Sequence, residues 1–510
     1  MNVSEKQTVK MTNFRWVICV TLFFATTINY LDRQVLSLTW KDFLVPEFHW
    51  TNDDYGTITS FFTLFYSIFM LFAGRFVDWL DTKKGYMWAI GIWSVGACIH
   101  AFCGIVTSGI LTGSWFVSFE KAKEIISTVG NVGLVINISV ITFIFARLVL
   151  AIGEAGNFPA AIKATAEFFP KKDRALATSI FNAGATIGAL VAPVSIPFIA
   201  KAWGWETAFI IIGALGFIWM GAWLFIYEKP ETHPKINAAE LEYIKQDKHI
   251  YEKDEKTTEK VAFIKCFKYK QTWAFAVGKF MTDGVWWFFL FWAPAYLSSV
   301  YKMDSTQSAF PLFVLYMITL LAIIGGWLPS YFITKKNMNP YEGRMKSMLI
   351  FAFFPLLALL AQPLGYISYW VPVIIIGIAA AAHQAWSANI FSTVGDMFPK
   401  KAIATITGIG GMAGGISAFI INKGSGMLFD YAQKVWSTVD GIPFLEKFPQ
   451  YIDEKLPEKF LEGLTDNGHS VVYGIDTGYM IVFSICSVSY LIGWIIMKIL
   501  VPKFKVVTDL

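Results

Sequence analysis

Runs of about 20 apolar residues, the length needed to cross a hydrocarbon core of roughly 30 Å, recur from one end of the chain to the other. Twelve can be counted, near residues 14–38, 55–78, 86–106, 130–155, 175–200, 206–227, 272–299, 308–334, 346–363, 370–394, 403–428 and 478–500. Each predicts a membrane-spanning helix, because a helix satisfies its own backbone polar groups in lipid. One long stretch, Glu228 to Lys270, is rich in Lys, Glu and Asp and separates six runs from six. The pattern predicts an all-α integral membrane protein with an N-terminal six-helix half (1–227), a linker (228–271) and a C-terminal six-helix half (272–510).

Composition supports this reading. Of 510 residues, 55% are hydrophobic, 17% aromatic and only 15% charged, and the mean hydropathy is +0.52, outside the range of soluble domains. A net charge of +5 is too small to suggest nucleic acid. Five cysteines (Cys19, Cys98, Cys103, Cys266 and Cys486) lie in or beside apolar runs without paired spacing. They read as small core residues rather than disulfide partners or metal ligands, and no cofactor is implied. No small-residue cleavage site follows the first run, so it reads as a retained span. The chain has no H-E-x-x-H, no G-x-S-x-G and no phosphate loop, which argues against an enzyme.

Orientation follows from the short loops, since cytoplasmic loops keep an excess of Lys and Arg. Lys83, Lys84, Lys171, Lys172, Arg174, Lys335, Lys336, Arg344, Lys346, Lys400 and Lys401 all fall in even-to-odd connections, together with the basic termini and the linker. Both termini are therefore expected in the cytoplasm. The loop 431–476, in which acidic residues outnumber Lys, and a shorter insertion near 107–128 are expected outside. Two echoes suggest a duplicated unit: FPKK at Phe169–Lys172 and Phe398–Lys401, and a glycine nine residues before a Lys-Lys pair at Gly74 and Gly326. Duplicated six-helix units suggest alternating access.

The layout and the loop GRFVDWLDTKKG (Gly74–Gly85) resemble the major facilitator superfamily, whose signature here is G-x-x-x-D-[RK]-x-G-x-[RK]-[RK]. Gly74, Asp78, Lys83 and Lys84 fit, whereas Trp79 stands where a base is usual and Asp81 where glycine is usual. NYLDRQ (Asn29–Gln34), RLVLAIGEAGNFPAA (Arg147–Ala161), KFMTDGVWWFFLFWAPAYL (Lys279–Leu297) and HQAWSANIFSTVGDMFPKK (His383–Lys401) resemble the anion:cation symporter branch and, within it, the hexuronate transporters. The likeness covers both halves.

An ionisable residue in a span costs roughly 2.5–3.5 kcal/mol on insertion scales, so such residues usually face the bundle interior and serve function. The first half holds Asp32, Arg33, Arg147 and Glu154, with His100 less central; the second holds Lys279, Asp283 and His383. Asp32 and Arg33 point about 100° apart on their helix and must have different partners. Asn29 and Arg33 share a stripe fit to line a cavity. Arg147 and Glu154, two turns apart, lie on one face, so a buried cluster of Asp32, Arg147 and Glu154 is expected. Burial disfavours an ionised carboxylate and a nearby guanidinium favours it, which suits proton coupling. The resemblance implies that Asp32 and Glu154 carry protons and Arg147 tunes them. It also implies that Arg33, left free, holds the substrate's acid group beside Tyr66. In span five, where sugar-acid relatives often have Gln, this chain has Ala185, with Asn182 one turn earlier.

In the second half His383, Gln384, Trp386, Ser387 and Asn389 form a polar and aromatic set within an apolar run, the mix that lines a sugar site. Trp286 and Trp287 can join that wall, Asp283 is a further candidate, and Lys279 is expected to snorkel. By the FPKK offset His383 falls opposite Glu154. These residues predict a monomeric, proton-coupled importer of a hexuronate such as glucuronate or galacturonate in a bacterial inner membrane. The partners expected are a small anionic substrate, protons and the lipid bilayer. A symporter of another organic anion, such as an aldonate or aldarate, and a non-transporting sensor of sugar acids are the alternatives.

Overall fold

A computed structural model describes residues 11–246, 263–452, 454–457 and 460–508. The centre of the expected linker, 247–262, lies outside the described residues. Twelve membrane-length helical segments follow one another among those described. Spans 1 to 6 are Arg15–Thr39, Asn52–Leu80, Thr82–Ala101 with Cys103–Thr112, Val132–Phe168, Lys171–Trp203 and Trp205–Ile226. Spans 7 to 12 are Lys270–Tyr301, Ala309–Lys335, Pro340–Leu364, Trp370–Met397, Lys400–Val435 and Ile475–Leu500. Span 3 bends by 53° at its break.

Nine of these described segments are apolar enough to cross a membrane on composition alone, and the bent pair makes ten. The other two are spans 1 and 7, which carry Asp32 and Arg33, and Lys279 and Asp283. The first helix of each six-helix set therefore trades apolar surface for buried charge.

Span 1 is anchored by the linker. The linker helix Ala238–Lys245 presents Glu240, which accepts from the backbone N–H groups of Phe14 (2.8 Å) and Arg15 (3.0 Å) and from the Arg15 guanidinium (3.2 Å). These donors are the ones a helix start leaves orphaned. Past Thr39 the helix widens into a π turn, Trp40–Leu44, a feature frequent at functional sites. Span 2 begins on a capping box, Thr51 with Asp54.

The seam between the two sets is built of small residues on spans 2 and 11, which let backbones approach closely. A Cβ added at Gly415 would lie 1.4 Å from the Ser67 hydroxyl, and one at Gly426 2.5 Å from the Asn52 carbonyl. The stretch between spans 11 and 12 forms a small unit of its own. A three-stranded sheet in the order Ile442–Pro443, Thr438–Val439, Val471–Val472 packs with Val439, Phe444, Leu456 and Leu461 as its core. The 107–128 insertion carries a short helix, Phe119–Thr128.

Candidate functional site

Arg33 sits in the middle of the bundle, 2% exposed. Its Nε and Nη2 both donate to Glu154 Oε2, at 2.9 and 2.6 Å, and Nη2 reaches Asn29 Oδ1 at 3.3 Å. Tyr30, Tyr66 and Trp287 place their rings 4.9, 4.8 and 5.0 Å from the Arg33 guanidinium carbon. Trp287 belongs to span 7, so the aromatic wall around this cation is shared by both six-helix sets. Aromatic faces stabilise a desolvated guanidinium.

Asp32 and Arg147 lie beside this pair. Both are buried, and both interact electrostatically with Glu154 and with each other. Neither Asp32 oxygen has a hydrogen-bond partner, nor have Arg147 Nε and Nη1, Glu154 Oε1 or Asn29 Nδ2. Buried polar groups are nearly always paired. So many orphans in one place mark a site built for groups that come and go: protons, water or a polar ligand.

Across the bundle His383 Nδ1 meets the Tyr490 hydroxyl at 2.7 Å, and the His383 ring stacks on Trp286 at 5.5 Å and 8°. Trp386 is buried edge-on to Tyr490, with its indole N–H unpartnered. Lys279 Nζ bonds Asp283 Oδ2 at 2.7 Å and lies over Phe391 at 4.2 Å.

One end of the bundle is closed above this site. Trp40 stacks flat on Tyr55 (4.1 Å, 2°), and Trp292 meets Tyr55 edge-on at 5.0 Å. Two turns separate Trp40 from Arg33, so this plug lies directly over the cation. The Tyr55 hydroxyl donates to the Phe291 carbonyl at 2.8 Å. Beyond it, Asp430 of span 11 accepts from the Asn52 and Asp53 backbone at the start of span 2, at 3.0 and 2.9 Å. Lys423 pairs with Asp53 and bonds Thr57 at 2.8 Å, and Lys455 reaches Asp54 at 2.7 Å. A carboxylate on a helix N-terminus is favourable in itself, and here it joins the two sets of helices.

The residues singled out in the sequence divide in three ways. Asn29, Asp32, Arg33, Tyr66, Arg147 and Glu154 come together in one buried cluster, and Trp286, His383 and Trp386 in a second. Glu154 is paired with Arg33, so the expectation that Arg33 stands free is corrected, while the expected grouping of Asp32, Arg147 and Glu154 is present with Arg33 added to it. The seven-residue spacing fixed the shared face of Arg147 and Glu154, but the guanidinium that meets the carboxylate comes from span 1. Lys279 does not snorkel: its side chain is 6% exposed and is held by Asp283. Asn389 gives its amide to the Gly325 and Ala385 carbonyls, both at 2.8 Å, and so ties span 10 to span 8. Gln384 and Ser387 are half-buried and Asn182 is exposed, and none of the three bonds either cluster. The sequence does not single out Tyr30, Tyr490 or Phe62, whose ring lies 5.1 Å from the Arg147 guanidinium carbon and 5.9 Å from that of Arg33. Each is an aromatic among many, and only packing distinguishes them.

Residues 22–421 match the family model of the Major Facilitator Superfamily, and the chain belongs to that superfamily. It is a membrane protein of the transporter class, not an enzyme. It is 27% identical over 426 residues to a hexuronate transporter of Escherichia coli K12, covering 82% of this chain and 89% of that one. It is 24% identical over 432 residues to a probable galactarate/D-glucarate transporter of the same organism, covering 82% and 88%. Among solved structures, it resembles a bacterial homologue of the human lysosomal transporter Spinster in an inward-facing, unoccupied conformation. The TM-score is 0.63 and the identity 16%, over 95% of this chain and 97% of that one.

Proposed function

We propose that the protein is a proton-coupled symporter that imports a hexuronate, such as glucuronate or galacturonate, by alternating access. The observation that carries this reading is the buried pair in which Glu154 occupies the donors of Arg33. A guanidinium matches a carboxylate in two parallel hydrogen bonds, so a substrate carboxylate and Glu154 compete for the same fork. Protonation of Glu154 releases Arg33 to the substrate, and substrate binding in turn favours the protonated acid. Asp32, whose oxygens have no partner, takes a second proton, with Arg147 beside it as the movable countercharge. Tyr66, Tyr30 and Trp287 cover the sugar carboxylate, and His383, Trp286 and Trp386 face its ring and hydroxyls.

A hexuronate monoanion is opposed by an inside-negative membrane by about 2.3 kcal/mol at 100 mV. One proton makes the step electroneutral, and a second lets voltage drive it. Both termini and the linker 228–271 lie in the cytoplasm of a bacterial inner membrane, with the sealed end and the 431–476 unit outside, a reading that the Lys and Arg of the even-to-odd loops support. The chain acts as a monomer. The hexuronate relative supports the substrate class. The test is uptake of labelled glucuronate into proteoliposomes of the purified protein under an imposed pH gradient. Accumulation abolished by a protonophore and by Arg33→Lys supports the reading; accumulation indifferent to both refutes it.

A further inference from the structure

Span 7 carries Lys279, Asp283 and Trp287 at four-residue intervals, a ladder about 12 Å long on one side of the helix. Its upper rung, Trp287, lies 5.0 Å from the Arg33 guanidinium. Its lower rungs are the Lys279–Asp283 pair at 2.7 Å, with side chains 6% and 15% exposed. Charges at mid-span face the bundle interior and have functions. The backbone is shaped around this carboxylate: a Cβ on Gly414 of span 11 would lie 2.2 Å from Asp283 Oδ2.

The pair repeats the arrangement at Arg33. In each half a cation is held by a protein carboxylate through one oxygen, while the second oxygen, Glu154 Oε1 or Asp283 Oδ1, has no partner. If Glu154 is the stand-in that a substrate carboxylate displaces, Asp283 is placed to be the same for Lys279. We propose that Lys279 is a second carboxylate anchor, so that the site takes sugar acids with an acid group at both ends, one on Arg33 and one on Lys279. This rests on the reading of Arg33 given above and extends it to a second substrate class. An extended six-carbon chain holds its terminal carbons about 6 Å apart at bond lengths near 1.5 Å. Ion-pair contacts of up to about 4 Å at either end extend that reach to about 14 Å, against about 12 Å along the helix axis between Lys279 and Trp287, the rung that meets Arg33. A ligand so held bridges the two six-helix halves.

Equilibrium binding to the purified full-length protein separates the possibilities, with glucuronate (one carboxylate) and glucarate (two) as probes. Wild type is expected to bind both. Lys279→Gln should weaken glucarate about tenfold or more while glucuronate changes less than about threefold. Lys279→Arg should keep both, and Asp283→Asn, which removes the competing carboxylate but keeps the cation, should tighten glucarate. Wild type that binds glucuronate but not glucarate, or a Lys279→Gln that weakens both equally, overturns the second anchor and leaves the hexuronate reading standing. Binding of glucarate alone refutes the hexuronate reading and keeps the anchor; binding of neither overturns both. Should Lys279→Gln fail to fold, an Asp283→Asn that leaves glucarate affinity unchanged overturns the anchor.

Discussion

Arg33 gives two of its N–H groups to a single oxygen of Glu154, at 2.9 and 2.6 Å, and leaves the other Glu154 oxygen without a partner. The two residues stand 121 positions apart in the chain, on spans 1 and 4, and both side chains are buried. A buried ion pair of this kind is weak evidence for stability, since desolvation offsets most of the attraction. Its value here is as a switch, because either a proton or a second carboxylate dissolves it.

Replacing Glu154 by Gln, or Asp32 by Asn, removes a titrating group and keeps its shape. Accumulation of glucuronate driven by a pH gradient should fall at least about tenfold in either variant, while counterflow, which needs no net proton movement, persists. Proteoliposome uptake and counterflow measured side by side check this. Wild-type accumulation in both variants would sink the assignment of these acids to coupling.

The closed end should open more readily when its cross-links are cut. Lys423 holds both Asp53 and Thr57, and Lys455 holds Asp54 from the 431–476 unit. At about 1 kcal/mol for one such interaction, Lys423→Met should raise the population open at that end about fivefold, and Lys455→Met should add to it. Labelling of a cysteine at Ser60, whose hydroxyl now bonds the Phe419 carbonyl at 3.1 Å, reports the opening. Equal labelling rates in all backgrounds would show that these contacts do not hold the gate.

Asp81 occupies the place where the superfamily signature has glycine, and its backbone has φ 71° and ψ 156°, a region that is nearly glycine-only and costs about 1–3 kcal/mol. Its carboxylate recovers part of that cost by capping Thr82 N–H at 2.8 Å and pairing with Lys229 at 3.0 Å. Thermal stability of the purified variants should therefore rank Gly at or above Asp, with Ala lowest. Alanine as stable as aspartate would mean that the strain is not there.

Glu240 reports on the linker. Burial pushes its carboxyl up, but donors from Arg15, Thr12 and Phe14 together hold it below the usual carboxylate range. A depressed acid stabilises the fold above its unfolded value and loses that contribution as pH falls through the folded value. Glu240→Gln should thus cost about 2 kcal/mol at neutral pH, and the gap to wild type should close in acid. Melting curves across that range check it, and a gap that widens toward low pH would contradict the assignment.

Much of this architecture was legible because lipid imposes one rule, about 20 apolar residues per crossing, which nine described segments and the bent pair obey outright. Spans 1 and 7 were recognisable despite their charges because the runs around those charges kept their length. Which residues would be buried and charged was legible for the same reason. What lay beyond the sequence was the pairing across helices. Helical periodicity assigns a residue to a face but not to the neighbour that face will meet, so Arg33 could be placed toward a cavity without revealing that Glu154 fills its fork. Asn389 has the residue type of a sugar ligand, but its amide donates to two carbonyls of spans 8 and 10. The two-residue strands of the 431–476 unit are too short to leave a period-two pattern.

The central claim is that Glu154, when ionised, competes with the substrate carboxylate for Arg33, and the affinity for glucuronate as a function of pH tests it most directly. In wild type the dissociation constant should rise with pH, by up to about tenfold per unit for one linked proton. In Glu154→Gln it should be tight and flat across the same range. A wild type whose affinity does not change with pH, or a Glu154→Gln that keeps the wild-type slope, would contradict the account.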